Sequence, residues 1–180
     1  MKRAVFFDRD GVLNETAVRD GTPHPPQSVA ELKLVPGAAD AVRRVRNAGF
    51  YAIVITNQPD VARGTATQQQ VDEINAAVAH RLAIDATYAC YHDDADGCDC
   101  RKPKTGLLVR AARDYGIDLR QSFLIGDRAK DAQCGRAAGC TTVFIDFKYA
   151  ETPAGVDADA IVTSLGAAVD AVLKYRAAIR

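Results

Sequence analysis

The chain has 180 residues, room for one compact domain with an inserted loop, and its 23 basic and 23 acidic residues leave no formal charge at pH 7. That balance argues against nucleic acid or an anionic membrane as the main partner, because counterion release from phosphates needs a basic surplus. No apolar run approaches the ~18 residues that span a bilayer, and the four apolar residues after Met1-Lys2-Arg3 fall short of a signal core of ~7, so a cytoplasmic monomer is expected.

In chain order, Ala4–Phe7 reads as a buried strand ending at Asp8, and residues 8–36, punctuated by Gly11, Gly21, Pro23, Pro25, Pro26 and Pro36, as loop. A helix is predicted over 37–48, a strand over Tyr51–Ile55, and a helix capped by Thr67 that reaches Ile84, with Val71, Ile74, Val78 and Leu82 three or four residues apart. Strand-like Ala86–Tyr91 leads into a cysteine cluster. Helices at Thr105–Tyr115 and Ala129–Ala138 then alternate with strands at Ser122–Ile125 and Thr141–Ile145, and Ser164 caps a last helix ending near Ala178. Strands apolar throughout, alternating with helices, define a doubly wound parallel α/β sheet covered on both faces. In such sheets the site lies beyond the carboxyl ends of the strands, where Asp8, Thr56 and Asp127 fall.

Asp8-Arg9-Asp10-Gly11 puts two carboxylates at the end of the first strand. A carboxylate can attack phosphorus, and a neighbouring carboxyl can protonate the leaving oxygen and then activate water. Alone, the pattern reads equally as a turn whose aspartates cap backbone groups. Thr56-Asn57-Gln58 adds a hydroxyl and amides, Arg101-Lys102 adds two cations, and Gly126-Asp127 with Asp131 adds carboxylates for Mg²⁺.

This ordered set, Asp8-x-Asp10-x-Val12, Thr56, Lys102 and Gly126-Asp127 with Asp131, resembles the haloacid dehalogenase superfamily of phosphatases over about residues 4–146. The resemblance implies a Rossmann-like fold with Asp8 as nucleophile, Asp10 as general acid/base, and Thr56, Arg101 and Lys102 on the phosphoryl group. It also implies Mg²⁺ held by the Asp8 side chain, the Asp10 carbonyl and Asp127, with Asp131 either in the outer shell of the metal or paired with Lys102 or Arg128. No interval between the motifs holds a separate cap domain, so the Pro-rich stretch 12–36 is a candidate flap, with Arg19 and His24 either substrate contacts or solvated loop residues.

Cys90-x-His92, five residues, then Cys98-x-Cys100 supplies three thiolates and an imidazole, the donor set of a closed, structural Zn²⁺ site. Partial disulfides and a plain loop are the alternatives. Cys134, Cys140 and His80 read as packing or surface residues. Within the superfamily, the Cys-x-His…Cys-x-Cys-Arg-Lys-Pro loop resembles two groups, the bacterial heptose-bisphosphate phosphatases and the histidinol-phosphate phosphatases. Val61-Ala62-Arg63-Gly64 is similar to the first, the short zinc-loop gap and Asp127-Arg128 to the second. A phosphorylated sugar is the expected substrate, with Asn57, Gln58 and Arg63 binding it. Arg63 would suit a second phosphate and would repel the amine of histidinol phosphate. A zinc-stabilised phosphate-binding module is the non-enzymatic alternative.

Overall fold

The computed structural model describes residues 1–19, 22–148 and 155–178, without the side chains of 18, 19, 22, 23 and 176–178. Six parallel strands form one sheet in the order β5 (Ala86–Cys90), β4 (Tyr51–Asn57), β1 (Ala4–Phe7), β6 (Phe123–Gly126), β7 (Thr141–Ile145) and β8 (Ala160–Val162). The chain starts in the middle at β1, builds outward through β4 and β5, then crosses back to build β6, β7 and β8. The order reverses at β1, so a crevice opens beyond the carboxyl ends of β4, β1 and β6.

Alternate residues of β1 feed two cores. Val5 and Phe7 pack with α1 (Ala38–Asn47), α2 (Gln68–Leu82) and α5 (Leu165–Ala178), while Ala4 and Phe6 pack with α3 (Gly106–Tyr115) and α4 (Ala129–Ala138). The apolar positions read at helical spacing face these cores: Val42 and Val45 on α1, Ile74, Val78 and Leu82 on α2, Leu107, Leu108 and Ala111 on α3.

Thr67 caps α2 as expected. Its hydroxyl accepts from the Gln70 N–H at 3.2 Å while the Gln70 side chain accepts from the Thr67 N–H at 2.8 Å, a capping box. Ser164 likewise accepts from Ala167 N–H at the start of α5.

Three strands differ from the sequence reading. The stretch 8–36 contains a small antiparallel hairpin, β2 (Ala17–Arg19) with β3 (Thr22–His24), where Gly and Pro had suggested loop alone. The edge strand β8 was not anticipated. Three residues cannot display a period, and β8 is held by its pairing with β7, a tertiary cause.

Candidate active site

Asp8 directly follows β1, and its N–H continues the ladder to the Ile125 carbonyl at 3.0 Å, so the sheet itself aims the side chain. Oδ1 accepts from the Arg9 N–H at 2.8 Å and lies 2.9 Å from Lys102 Nζ. Lys102 is buried, and its ammonium reaches Asp131 Oδ1 at 2.6 Å and the Ile55 carbonyl at 3.1 Å. Burial alone would lower the Lys102 pKa, but Asp131 and Asp8 outweigh it and hold the ammonium protonated above its ordinary range.

Asp131 sits in the first turn of α4, where Oδ2 accepts from the Arg128 N–H at 3.0 Å. Asp131 thus meets Lys102 and the Arg128 N–H, and it also lies beside Asp8 and Asp127. That approach requires Gly126, since a Cβ there would stand 2.3 Å from the Asp131 Cβ. Gly11 is a second contact without clearance: it has φ +87°, and a Cβ would meet Asp127 Oδ2 at 2.3 Å.

Carboxylate oxygens of Asp8, Asp127 and Asp131 lie within 4.8 Å of one another, all on buried residues. Asp127 Oδ1 is buried without a hydrogen-bond partner among the described residues. An orphaned carboxylate oxygen inside an all-oxygen donor set fits Mg²⁺. The Asp10 side chain lines the cleft and is bonded to Arg9, Asn14 and Gln58.

Burial, with repulsion among these carboxylates, raises two of them. Asp127 is pushed up to about 8, first by burial and then by Asp8 and Asp131. Asp8 is raised to about 6, chiefly by burial, with Asp131 and Asp10 adding to it and Lys102 opposing. Both lie above the ordinary 3.8, so their contribution to stability is complete below about pH 4 and is lost as pH rises through about 6 and then about 8. A bound divalent cation takes the place of those protons. Thermal unfolding with and without Mg²⁺ should therefore show a larger gain at about pH 8.5 than at about pH 5.5. Equal gains would mean the carboxyls are already ionised at the lower pH.

Asp10 is the most heavily bonded carboxylate of the cleft. Gln58 Nε2 donates to Oδ2 at 2.7 Å, Asn14 Nδ2 to Oδ1 at 3.0 Å, and the Arg9 guanidinium to both oxygens. Gln58 also donates to the Thr56 hydroxyl at 2.8 Å, tying the ends of β1 and β4 together. Asn57, expected on substrate, lines the cleft and also bonds Lys102: Nδ2 donates to the Lys102 carbonyl at 3.1 Å and Oδ1 accepts from the Lys102 N–H at 3.0 Å. The two bonds clamp the lysine backbone.

The cysteine cluster assembles as the spacing implied. Cys90 Sγ lies 3.1 Å from Cys100 Sγ, 3.7 Å from Cys98 Sγ and 3.6 Å from His92 Nδ1; His92 Nδ1 and Cys98 Sγ lie 3.3 and 3.5 Å from Cys100 Sγ. All cysteines are free. A tetrahedron with Zn–S bonds of ~2.3 Å has edges of about 3.8 Å, so the four donors surround a volume the size of Zn²⁺. Cys134 and Cys140 are buried in the α3–α4 core, and His80 is exposed on α2.

From this loop Asp93 and Asp94 reach the cleft rim. Arg63 donates Nε and NH2 to Asp93 at 2.6 and 2.9 Å, and Arg101 Nε donates to Asp94 at 2.7 Å. Both arginines line a cleft of about 410 Å³ that also exposes Asp8, Asp10, Lys102 and Lys130. Thr16, His24 and Pro25 form its far wall, beside the hairpin; the Arg19 side chain lies outside the described residues. Arg9 and Asn75, both buried beneath Asp10, were missed in the sequence. The available signal was an arginine next to a fully apolar strand, which a buried partner must neutralise.

A sheet that ends in paired aspartates, a buried lysine and a third carboxylate, with no cap domain inserted between the motifs, defines a phosphatase of the haloacid dehalogenase type. A HAD-hydrolase-like family model matches residues 99–168. The D-glycero-β-D-manno-heptose-1,7-bisphosphate 7-phosphatase of Escherichia coli K12 is 33% identical over 96% of this chain and 95% of its own length. The corresponding Haemophilus influenzae enzyme is 34% identical over 77% and 78%, and that of Thermosynechococcus vestitus, named without the anomer, 36% over 82% and 81%. Among solved structures, the D,D-heptose 1,7-bisphosphate phosphatase of B. bronchiseptica, complexed with magnesium and phosphate, superposes with a TM-score of 0.79 at 29% identity, covering 97% of this chain and 99% of that one. The chain belongs to this family of heptose-bisphosphate phosphatases and is a phosphoric monoester hydrolase. Among the described residues, no helix is long and apolar enough to cross a membrane.

Proposed function

We propose that the chain hydrolyses D-glycero-D-manno-heptose 1,7-bisphosphate at C7, releasing inorganic phosphate and heptose 1-phosphate. The observation that carries the chemistry is the convergence of Asp8, Asp10, Lys102 and Asp131 on one cleft at the sheet's reversal point. A carboxylate oxygen of Asp8 attacks phosphorus and the phosphorus–ester oxygen bond breaks, leaving an acyl phosphate on Asp8. Asp10 gives its proton to the departing sugar oxygen, then takes one from the water that attacks the acyl phosphate, which frees phosphate and restores Asp8. Lys102 and the Thr56 hydroxyl hold phosphoryl oxygens, with Asn57 and Gln58 fixing the two of them. Mg²⁺, held by Asp8, the Asp10 carbonyl and Asp127, supplies charge neutralisation between phosphate and carboxylates. Zn²⁺, held by Cys90, His92, Cys98 and Cys100, fixes the segment that delivers Arg101 and Lys102.

The names of the relatives support the heptose, and the cationic rim of Arg63, Arg101 and Lys130 supports a substrate with a second phosphate. A panel with Mg²⁺ tests this. Heptose 1,7-bisphosphate should exceed both fructose 1,6-bisphosphate and histidinol phosphate in kcat/KM, and Arg63→Ala should raise KM for the bisphosphate by about ten-fold, the loss of one charged contact. Preference for histidinol phosphate would move the assignment to the other zinc-loop group without touching the chemistry.

A further inference from the structure

Arg9 is the largest fully buried side chain among the described residues, at 1% exposure. A guanidinium is costly to bury, and an apolar residue of similar volume is often the more stable choice, so its partners need a reason. One edge of the fork, Nε and NH2, meets Asp10 at 2.9–3.2 Å. The remaining arm, NH1, donates to Asn75 Oδ1 at 2.7 Å. Asn75 is itself buried, on the α2 face that carries Ile74 and Val78, so no solvent substitutes for the amide. Asp10, by contrast, lines the cleft. The guanidinium thus lies under the carboxyl, and its rotation is keyed to a helix anchored in the core.

We propose that Arg9 and Asn75 form a positioning relay that holds the Asp10 carboxyl in the orientation for proton transfer to the leaving oxygen. The proposal rests on Asp10 being the acid. A relay of this kind matters in proportion to how much the leaving oxygen needs its proton: an alkoxide needs it, whereas a nitrophenolate departs as the anion.

The test compares kcat/KM, which reports the steps up to phosphoryl transfer to Asp8, for fructose 1,6-bisphosphate and p-nitrophenyl phosphate. Asn75→Ala should lose about ten-fold on the sugar ester and less than about two-fold on the aryl ester. Arg9→Lys should lose about a hundred-fold against a few-fold, within the range a general acid contributes. Equal fractional losses on both esters would show that Arg9 and Asn75 merely support the strand end and would overturn the relay. If Arg9→Lys does not fold, Asn75→Ala decides. Asp10→Asn separates the two claims. If it shows no dependence on leaving group, the acid assignment falls and the relay with it; if it does while Asn75→Ala does not, only the relay falls.

Discussion

Asp8→Asn is expected to abolish turnover, with kcat down by at least about 10⁴-fold, while the protein folds and binds zinc as before. The amide is nearly isosteric and still accepts from the Arg9 N–H through its oxygen, so the bond that aims the side chain survives. What disappears is the nucleophile. Stability should change little, because the substitution has opposing effects. It weakens the contact with Lys102 but removes a carboxyl that burial and the neighbouring Asp131 hold at about 6. Circular dichroism and thermal melting alongside the assay distinguish lost chemistry from lost structure. Retained turnover would mean that phosphorus is attacked by water directly or by another residue.

Removal of zinc is the second large effect. Cys100 passes directly into Arg101 and Lys102, and Asn57 clamps the Lys102 backbone on its other side. Burial and the adjacent thiols push Cys100 up to about 12, and a cation bound among the four donors would favour its thiolate. Lys104, whose ammonium donates to the Gly97 and Cys98 carbonyls, restrains part of the loop, so unfolding of the whole domain is not expected. Purified protein should carry about one zinc per chain. Cys100→Ser or chelation should lower Tm by roughly 10 °C. Loss of a preorganised cation should cut kcat/KM on the order of 10²-fold. The absence of zinc by metal analysis, or full activity without it, would refute the structural role.

Which parts of this were legible in the sequence follows from where the determinants lie. The strands that carry Asp8, Thr56 and Asp127 are continuous apolar runs, and Thr67, Gly116 and Gly139 mark helix ends by local chemistry that needs no tertiary context. The Cys90, His92, Cys98 and Cys100 cluster was legible from its spacing. Roles set by long-range pairing were not. Asn57 and Gln58 line the cleft, and their amides also bond Lys102, Asp10 and Thr56, pairings that only three-dimensional placement reveals. Arg63 and Arg101 read as free cations, whereas Asp93 and Asp94 hold them across the rim. Arg9 reads as the spacer between two aspartates, and its partner Asn75 lies 66 residues away on the buried face of α2.

Covalent capture tests the account most directly. Enzyme mixed with substrate and Mg²⁺, quenched in acid within the first turnover and digested, should yield a phosphorylated peptide spanning Asp8, absent from the Asp8→Asn protein. A quench that traps no phosphoryl group there while turnover proceeds, or traps it on another residue, would contradict the mechanism at its root.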